Sequence, residues 1–256
     1  MDKMKNGAVL RNGTQRTAKE VFEKYAIVIA FLALLIVVSI LCSSFLTPSN
    51  LILVLNQTSI NGILAVGITY VLITAGIDIS IGSVVGLSGV ISAMVVKAGA
   101  PLPVGFLCGI LAGTLVGVII GILVTKGKLA PYIVTLGFLT IIRGAALLIA
   151  GGRPISSLGD AYGWIGNHNV FGVIPCPVII FLIVVVIGHI ILAHLQIGRY
   201  IYAVGGNSNA AEACGISPNK VKMFVHVFCR TCASLAGVIL SSRLITGHPG
   251  AGEGHE

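Results

Sequence analysis

Residues 198–222 read GRYIYAVGGNSNAAEACGISPNKVK, a polar, glycine-rich and basic interval between two apolar runs of helix length. In a chain this hydrophobic, such an interval must lie outside a lipid bilayer, because polar side chains and irregular backbone are costly within it. It also carries signals for one short helix: Asn209 can cap the start, and Glu212 follows three residues later. Gly215 and Pro218 can end that helix. The interval is therefore either a docking surface for a soluble partner or an ordinary connecting loop.

The composition is that of a membrane protein. The 256 residues are 56% hydrophobic and 9% charged, with a mean hydropathy of +1.03, and a water-soluble core of this size cannot bury so much apolar side chain. The net charge of +8 is accompanied by no base-reading motif, so no nucleic-acid partner is expected. Cys229 and Cys232 have a CxxC spacing without a second pair of ligands, which favours helix packing and predicts no metal site.

Seven apolar runs are long enough to cross a hydrocarbon core of roughly 30 Å at about 1.5 Å per residue. They cover residues 25–45, 51–74, 79–96, 102–125, 131–150, 177–195 and 225–244. The sequence therefore predicts an all-α, polytopic transmembrane bundle. Its predicted parts are a tail at 1–24, six spans within 25–195, a loop at 196–224, and a seventh span with an external tail at 225–256.

The basic residues predict the orientation. If the tail at 1–24 is cytoplasmic, the alternation of spans places eleven Lys and Arg on the cytoplasmic side and only Lys97 and Arg153 on the other. Cytoplasmic loops carry such an excess. We therefore predict a cytoplasmic amino terminus, a cytoplasmic loop at 196–224 and an external loop at 151–176. Three aromatic residues of the external loop are expected at the membrane interface: Tyr162, Trp164 and Phe171.

Polar residues in the second run form a face that needs polar surroundings. Asn56, Gln57 and Asn61 form part of an unusual density of amide and hydroxyl groups for a helix that faces lipid. Such groups either bind neighbouring helices or line a wet path. In the fourth run, glycines recur every four residues from Gly105 to Gly121, a ladder that is typical of closely packed membrane helices.

Charged residues in the apolar runs need partners, because an isolated charge in a membrane is costly. Asp78 is the only acid between residues 24 and 159. Either Asp78 or Ser80 can cap the third helix, and this role is favoured over a proton relay. Arg143 either extends to the membrane surface, pairs with Asp160 or faces a cavity. Arg230 is expected to extend toward the cytoplasmic end of its helix.

The chain has no HExxH, GxSxG or Walker A motif and no cluster of carboxylates. We therefore expect no catalytic residues and no enzyme activity, and any energy from ATP must come from another chain.

Five stretches resemble the inner-membrane permease subunits of bacterial ABC importers for monosaccharides, most closely the ribose type. They are QTSINGILAVG at 57–67, TAGIDISIGSVVGLSG at 74–89, KGKLAPYIVTLGFLTIIRG at 126–144, the interval at 198–222, and ASLAGVILSSRL at 233–244. The resemblance implies a permease of the bacterial inner membrane that translocates a monosaccharide, in the first place ribose. It also implies a lipid-embedded homodimer, a cytoplasmic ATP-binding subunit and a periplasmic sugar-binding protein. This chain would bind no cofactor, since ATP and Mg belong to the ATPase.

The same resemblance implies roles for particular residues. The loop that couples the permease to the ATPase would contain Gly198, Arg199, Gly205, Gly206, Asn207, Ala210, Ala211, Glu212 and Gly215. The translocation path would be bordered by Asn56, Gln57, Asn61, Asp78, Ser80 and Arg143. The family pattern continues into further spans, so the chain is expected to lack the last of them. The family pattern also has small residues at the position of Arg230.

Two other functions stay open at this point. An ion-driven secondary transporter of a small polar solute would need buried acids, and Asp78 alone is weak support for that function. A membrane scaffold without transport would need only the docking surface.

Overall fold

The computed structural model describes residues 25–170, residue 172 and residues 174–254. The predicted tail at 1–24, Phe171 and the last two residues lie outside the described part. The chain divides into two compact units, Met1–Leu53 and Val54–Glu256.

Most of the described residues are helical. The helices are α1 Tyr25–Leu41, α2 Pro48–Ile73, α3 Ile81–Lys97, α4 Leu102–Thr125, α5 Pro131–Ala150, α6 Trp164–Asn167, α7 Cys176–Ala193, α8 Gln196–Gly206, α9 Ser208–Ala213 and α10 Pro218–Leu244. A short 3-10 helix covers Asp160–Gly163. Strands β1 Asn169–Val170 and β2 Ile174–Pro175 form a small antiparallel hairpin in which Val170 is opposite Ile174.

Within the described residues, five helices are long and apolar enough to cross a membrane: α2, α4, α5, α7 and α10. The shorter apolar helices α1 and α3 occupy the first and third predicted runs. The predicted all-α polytopic class is therefore confirmed. Helix α10 begins at Pro218, earlier than the predicted residue 225, because proline fits the first turn of a helix, where its missing N–H is not needed. Proline occupies the first turn of α4, α5 and α7 as well.

The glycine ladder of α4 forms the centre of the fold. Its members are buried and face α3 and α10, so that a Cβ atom on Gly113 would lie 2.5 Å from the Cβ atom of Ser234. A Cβ atom on Gly117 would lie 2.9 Å from that of Arg230. The close helix packing predicted from the GxxxG spacing is therefore confirmed.

The bundle of the second unit has two ends. At one, which we call the loop end, the turn between α2 and α3, the turn before α5, and helices α8 and α9 come together. At the other, the far end, α6 packs on the end of α10: Gly166 donates its backbone N–H to Ser242 Oγ at 2.9 Å, and Asn167 Nδ2 donates to the Arg243 carbonyl at 3.1 Å.

Tyr162 is buried at the far end and does not lie at the membrane interface, which corrects the prediction. Its side chain is 0% exposed. The hydroxyl donates to Ser92 Oγ at 3.0 Å and lies 2.8 Å from Ser241 Oγ. Burial raises the pKa of Tyr162, although the hydrogen bonds with both serines oppose that shift. Trp164, by contrast, is 59% exposed.

The segment after α10 packs back along α3, whereas the sequence predicted an external tail. Ile155 and Gly247 exchange two backbone hydrogen bonds of 2.9 Å. A Cβ atom on Gly86 would lie 2.5 Å from the Pro249 carbonyl, and Gly252 lies directly against Gly82. The glycines of α3 therefore provide the groove that this segment occupies.

Candidate coupling and translocation sites

The interval at 198–222 contains most of α8, all of α9 and the start of α10, where the sequence predicted one short helix. Asn207, rather than Asn209, caps α9: its Oδ1 accepts hydrogen bonds from the backbone N–H groups of Asn209 and Ala210, both at 3.0 Å. The prediction of Asn209 was wrong by two residues, since asparagine favours this position wherever it occurs. After α9 the backbone of Gly215 adopts a φ of +81°, which favours glycine, as predicted for the end of this helix.

One face of α8 and α9 is buried and the other is exposed. Gly198, Ile201, Val204 and Ala211 are buried against the bundle. The exposed residues of the interval include six of the predicted coupling residues: Arg199, Gly206, Asn207, Ala210, Glu212 and Gly215. The two helices therefore present a polar surface at the loop end while their apolar face holds them to the spans.

Gly205 fixes α8 against the turn between α2 and α3. Its Cα lies so close to the Ile73 carbonyl that any Cβ atom there would collide with it. The next residue of that turn, Thr74, is buried and donates its hydroxyl to the Val71 carbonyl at 2.9 Å. Gly205 therefore brings the backbone of α8 into direct contact with the end of α2, where this turn begins.

The same turn leads into a buried ion pair between Asp78 and Arg230. The guanidinium holds both carboxylate oxygens: Nη1 pairs with Oδ2, and Nη2 donates to Oδ1 at 2.9 Å. Nη2 also donates to Ser80 Oγ at 2.7 Å. The Ser80 backbone N–H donates to Asp78 Oδ1 at 3.0 Å. Arg230 is 0% and Asp78 4% exposed, so both charges are buried and each is neutralised by the other.

This arrangement corrects two predictions. Neither Asp78 nor Ser80 makes a side-chain capping bond to α3, and Arg230 points inward to the acid. The sequence did contain a signal: Asp78 and Arg230 are lone opposite charges in apolar runs, and each needs a partner. Their separation of 152 residues left the pairing unspecified.

Arg143, on α5, forms an ion pair with Glu253 of the segment that follows α10. Its Nη1 lies 3.4 Å from Glu253 Oε1, and the two side chains are 24% and 65% exposed. Of the three alternatives from the sequence, pairing is the one that occurs, although the partner is Glu253 and not Asp160. The sequence does not predict the fold of the segment at 245–254, so it could not identify Glu253 as the partner of Arg143.

The amides of α2 divide between two environments. Asn56 is half-buried, with Nδ2 at 3.5 Å from the Gly166 carbonyl. Gln57 and Asn61 are exposed in this single chain. Asn61 lines a cavity of about 220 Å³ with Leu64, Ala65, Ile68 and Ile81.

The six predicted path residues have different partners within one chain. Asp78 and Ser80 share the ion-pair cluster, Arg143 lies at the segment after α10, and the three amides follow α2. Among the described residues no group of His, Cys, Asp and Glu is arranged to hold a metal ion.

Comparison with known proteins identifies the family. The family described as "Branched-chain amino acid transport system / permease component" matches residues 50–255. The ribose import permease protein of Bacillus subtilis is 41% identical over 237 residues, which are 92% of this chain and 74% of that protein. The ribose import permease protein of Escherichia coli is 39% identical over 232 residues, 89% of this chain and 72% of its own.

A third relative, the D-allose transport system permease protein of Escherichia coli, is 35% identical over 240 residues, 92% of this chain and 72% of its own. No solved structure matches the chain. The family match extends from α2 through α10 and includes both the interval at 198–222 and the Asp78 turn. The chain therefore belongs to the ribose-type family of ABC sugar-importer permeases.

Proposed function

We propose that this chain is the membrane subunit of an importer that carries a monosaccharide, most directly ribose, across the inner membrane of a bacterium. The observation that carries the proposal is the identity of about 40% with two ribose import permeases over some nine-tenths of the chain. The ion-driven alternative gains no support from the fold, because its one candidate acid, Asp78, is paired with Arg230.

We further propose that the exposed face of α8 and α9 binds a separate ATP-binding subunit on the cytoplasmic side, which would also place the amino terminus in the cytoplasm. The loop end carries Lys126, Lys128, Arg199, Lys220 and Lys222, and cytoplasmic loops are enriched in such residues. ATP and Mg would be bound by that partner and not by this chain.

The remaining parts of the proposed assembly follow from the family. A periplasmic sugar-binding protein would deliver the sugar at the far end, and a second copy of the permease would cover exposed apolar and amide groups such as those around Asn61. In a permease of this kind, nucleotide binding by the ATPase moves the docking helices, and the spans alternate between two accessible states.

The test is uptake of labelled ribose by cells that lack their own ribose permease. The cells express this chain together with the ATP-binding subunit and the sugar-binding protein of a ribose importer. Uptake that requires the ATPase and persists when the proton gradient is dissipated is expected. Uptake that survives without the ATPase but ends with the gradient would contradict the proposal and favour an ion-driven carrier.

A further inference from the structure

A cavity of about 280 Å³ lies at the loop end, between α8 and α9 on one side and the spans on the other. Its walls come from the α2–α3 turn, the start of α5, the α8–α9 junction and α10, with Thr74, Pro131, Asn207, Lys222 and His226 among the lining residues. A single water needs only about 15 Å³ of such space. The cavity is therefore large enough for a small polar molecule.

Two of its lining residues on α10 can recognise such a guest. Lys222 is half-buried, so its ammonium group interacts more strongly with an anion than a fully solvated one would. His226 is 3% exposed, and among the described residues its Nδ1 has no hydrogen-bond partner. A buried polar atom without a partner is costly and is normally satisfied by a protein group or by a bound molecule.

The wall opposite α10 adds hydroxyl and amide groups. Thr74 uses its hydroxyl hydrogen to bind Val71, and its oxygen remains able to accept. Asn207 caps α9 through Oδ1, which leaves its amide hydrogens as donors. Between them, Ala75 has a φ of +56°, a conformation that side-chain-bearing residues adopt only where the surroundings enforce it.

The charge at this end favours an anion. Among the described residues at this end, the five basic residues Lys126, Lys128, Arg199, Lys220 and Lys222 outnumber the single acid Glu212, apart from the neutralised Asp78–Arg230 pair. A cleft lined by one sign of charge concentrates ions of the opposite sign. Lysine is also a common ligand of phosphate groups.

We propose that this cavity binds a phosphate group, supplied either by a soluble phosphate compound or by the headgroup of an anionic lipid. Lys222 pairs with the charge, and His226 and Asn207 donate hydrogen bonds to the remaining oxygens. Because the guest contacts both α10 and the α8–α9 junction, it holds the docking helices against the α2–α3 turn. The binding itself is independent of the transported sugar.

The test uses the full chain in nanodiscs of phosphatidylcholine, titrated calorimetrically with inorganic phosphate at constant ionic strength. We expect saturable binding that Lys222→Met weakens by about tenfold or more, the loss typical of a charge-assisted hydrogen bond. His226→Gln should weaken it as well. Lys126→Met is the matched control, because it removes the same charge from the same end at an exposed position outside the cavity, and it should leave binding unchanged.

A second arm distinguishes the two sources of phosphate. Nanodiscs that contain phosphatidylglycerol are prepared with the same four proteins, and lipid retained by each is identified by native mass spectrometry. The site binds a headgroup if the parent protein retains phosphatidylglycerol and then binds phosphate more weakly, and if Lys222→Met loses the lipid. Phosphate binding that the lipid does not affect assigns it to a soluble compound. Absence of both kinds of binding, or equal losses in Lys126→Met and Lys222→Met, would overturn the proposal.

Discussion

Asp78 and Arg230 form an ion pair that is buried within the bundle. A buried ion pair contributes little net stability over apolar side chains of similar volume, but removing one partner leaves an uncompensated charge. Asp78→Asn or Arg230→Met alone should therefore destabilise the protein by about 3–5 kcal/mol. The double variant Asp78→Asn with Arg230→Met should recover most of that loss.

The measurement is thermal unfolding of the parent and the three variants in the same nanodiscs, read as a double-mutant cycle. Ser80, which accepts from the same guanidinium nitrogen, is retained in all of them. Single variants whose effects simply add in the double variant would show that the two charges do not stabilise each other.

At the scale of helices, alanine substitutions at two glycines separate the effect of helix packing from the effect of intrinsic helix propensity. A methyl group at Gly113 would meet Ser234 and Val84 at 2.5 and 2.9 Å, so Gly113→Ala should destabilise the protein by about 1–3 kcal/mol through overpacking. At Gly137, in the interior of α5, the same methyl group would have no atom within 4 Å. Gly137→Ala should therefore stabilise by about 0.5–1 kcal/mol. Unfolding midpoints that move in the same direction for both would contradict this packing.

The polar surface of α9 is the proposed contact with the ATP-binding subunit. Glu212 is exposed, and its charge reversal changes the surface without disturbing the fold. Glu212→Lys should reduce co-purification of the ATP-binding subunit and ATP-dependent uptake, because the proposed partner meets this face. Asp160→Lys is the control, since it reverses an exposed acid at the far end. Equal association by both variants would place the docking surface elsewhere.

Most elements could be predicted from the sequence because lipid imposes a simple rule: apolar runs of sufficient length become helices that satisfy their own backbone. The same rule does not predict the structure outside the spans. There, the structure depends on close contacts, such as Gly205 with Ile73, that no local sequence pattern encodes. Such contacts decide that Asn207 and not Asn209 caps α9, that the interval contains a second helix, and that the segment at 245–254 packs back on the bundle. The Asp78–Arg230 pair was missed for the same reason, although both charges signalled a missing partner.

The orientation of the whole molecule can be tested with its own cysteines. Cys214 is exposed in the interval at 198–222, and Cys42, Cys108 and Cys176 are exposed or half-buried, whereas Cys229 and Cys232 are buried. In a background where the other accessible cysteines are serine, we compare Cys214 with a cysteine introduced by Ser156→Cys at the far end. Position 156 is exposed, so both sites are reachable once the membrane is opened.

A membrane-impermeant maleimide added to intact cells should label position 156 and leave Cys214 unlabelled until the cells are permeabilised. The physical reason is the excess of Lys and Arg at the loop end, which retains that end on the cytoplasmic side. Labelling of Cys214 in intact cells, with position 156 protected, would reverse the orientation. The α8–α9 surface would then face away from ATP, and the phosphate cavity would open to the periplasm.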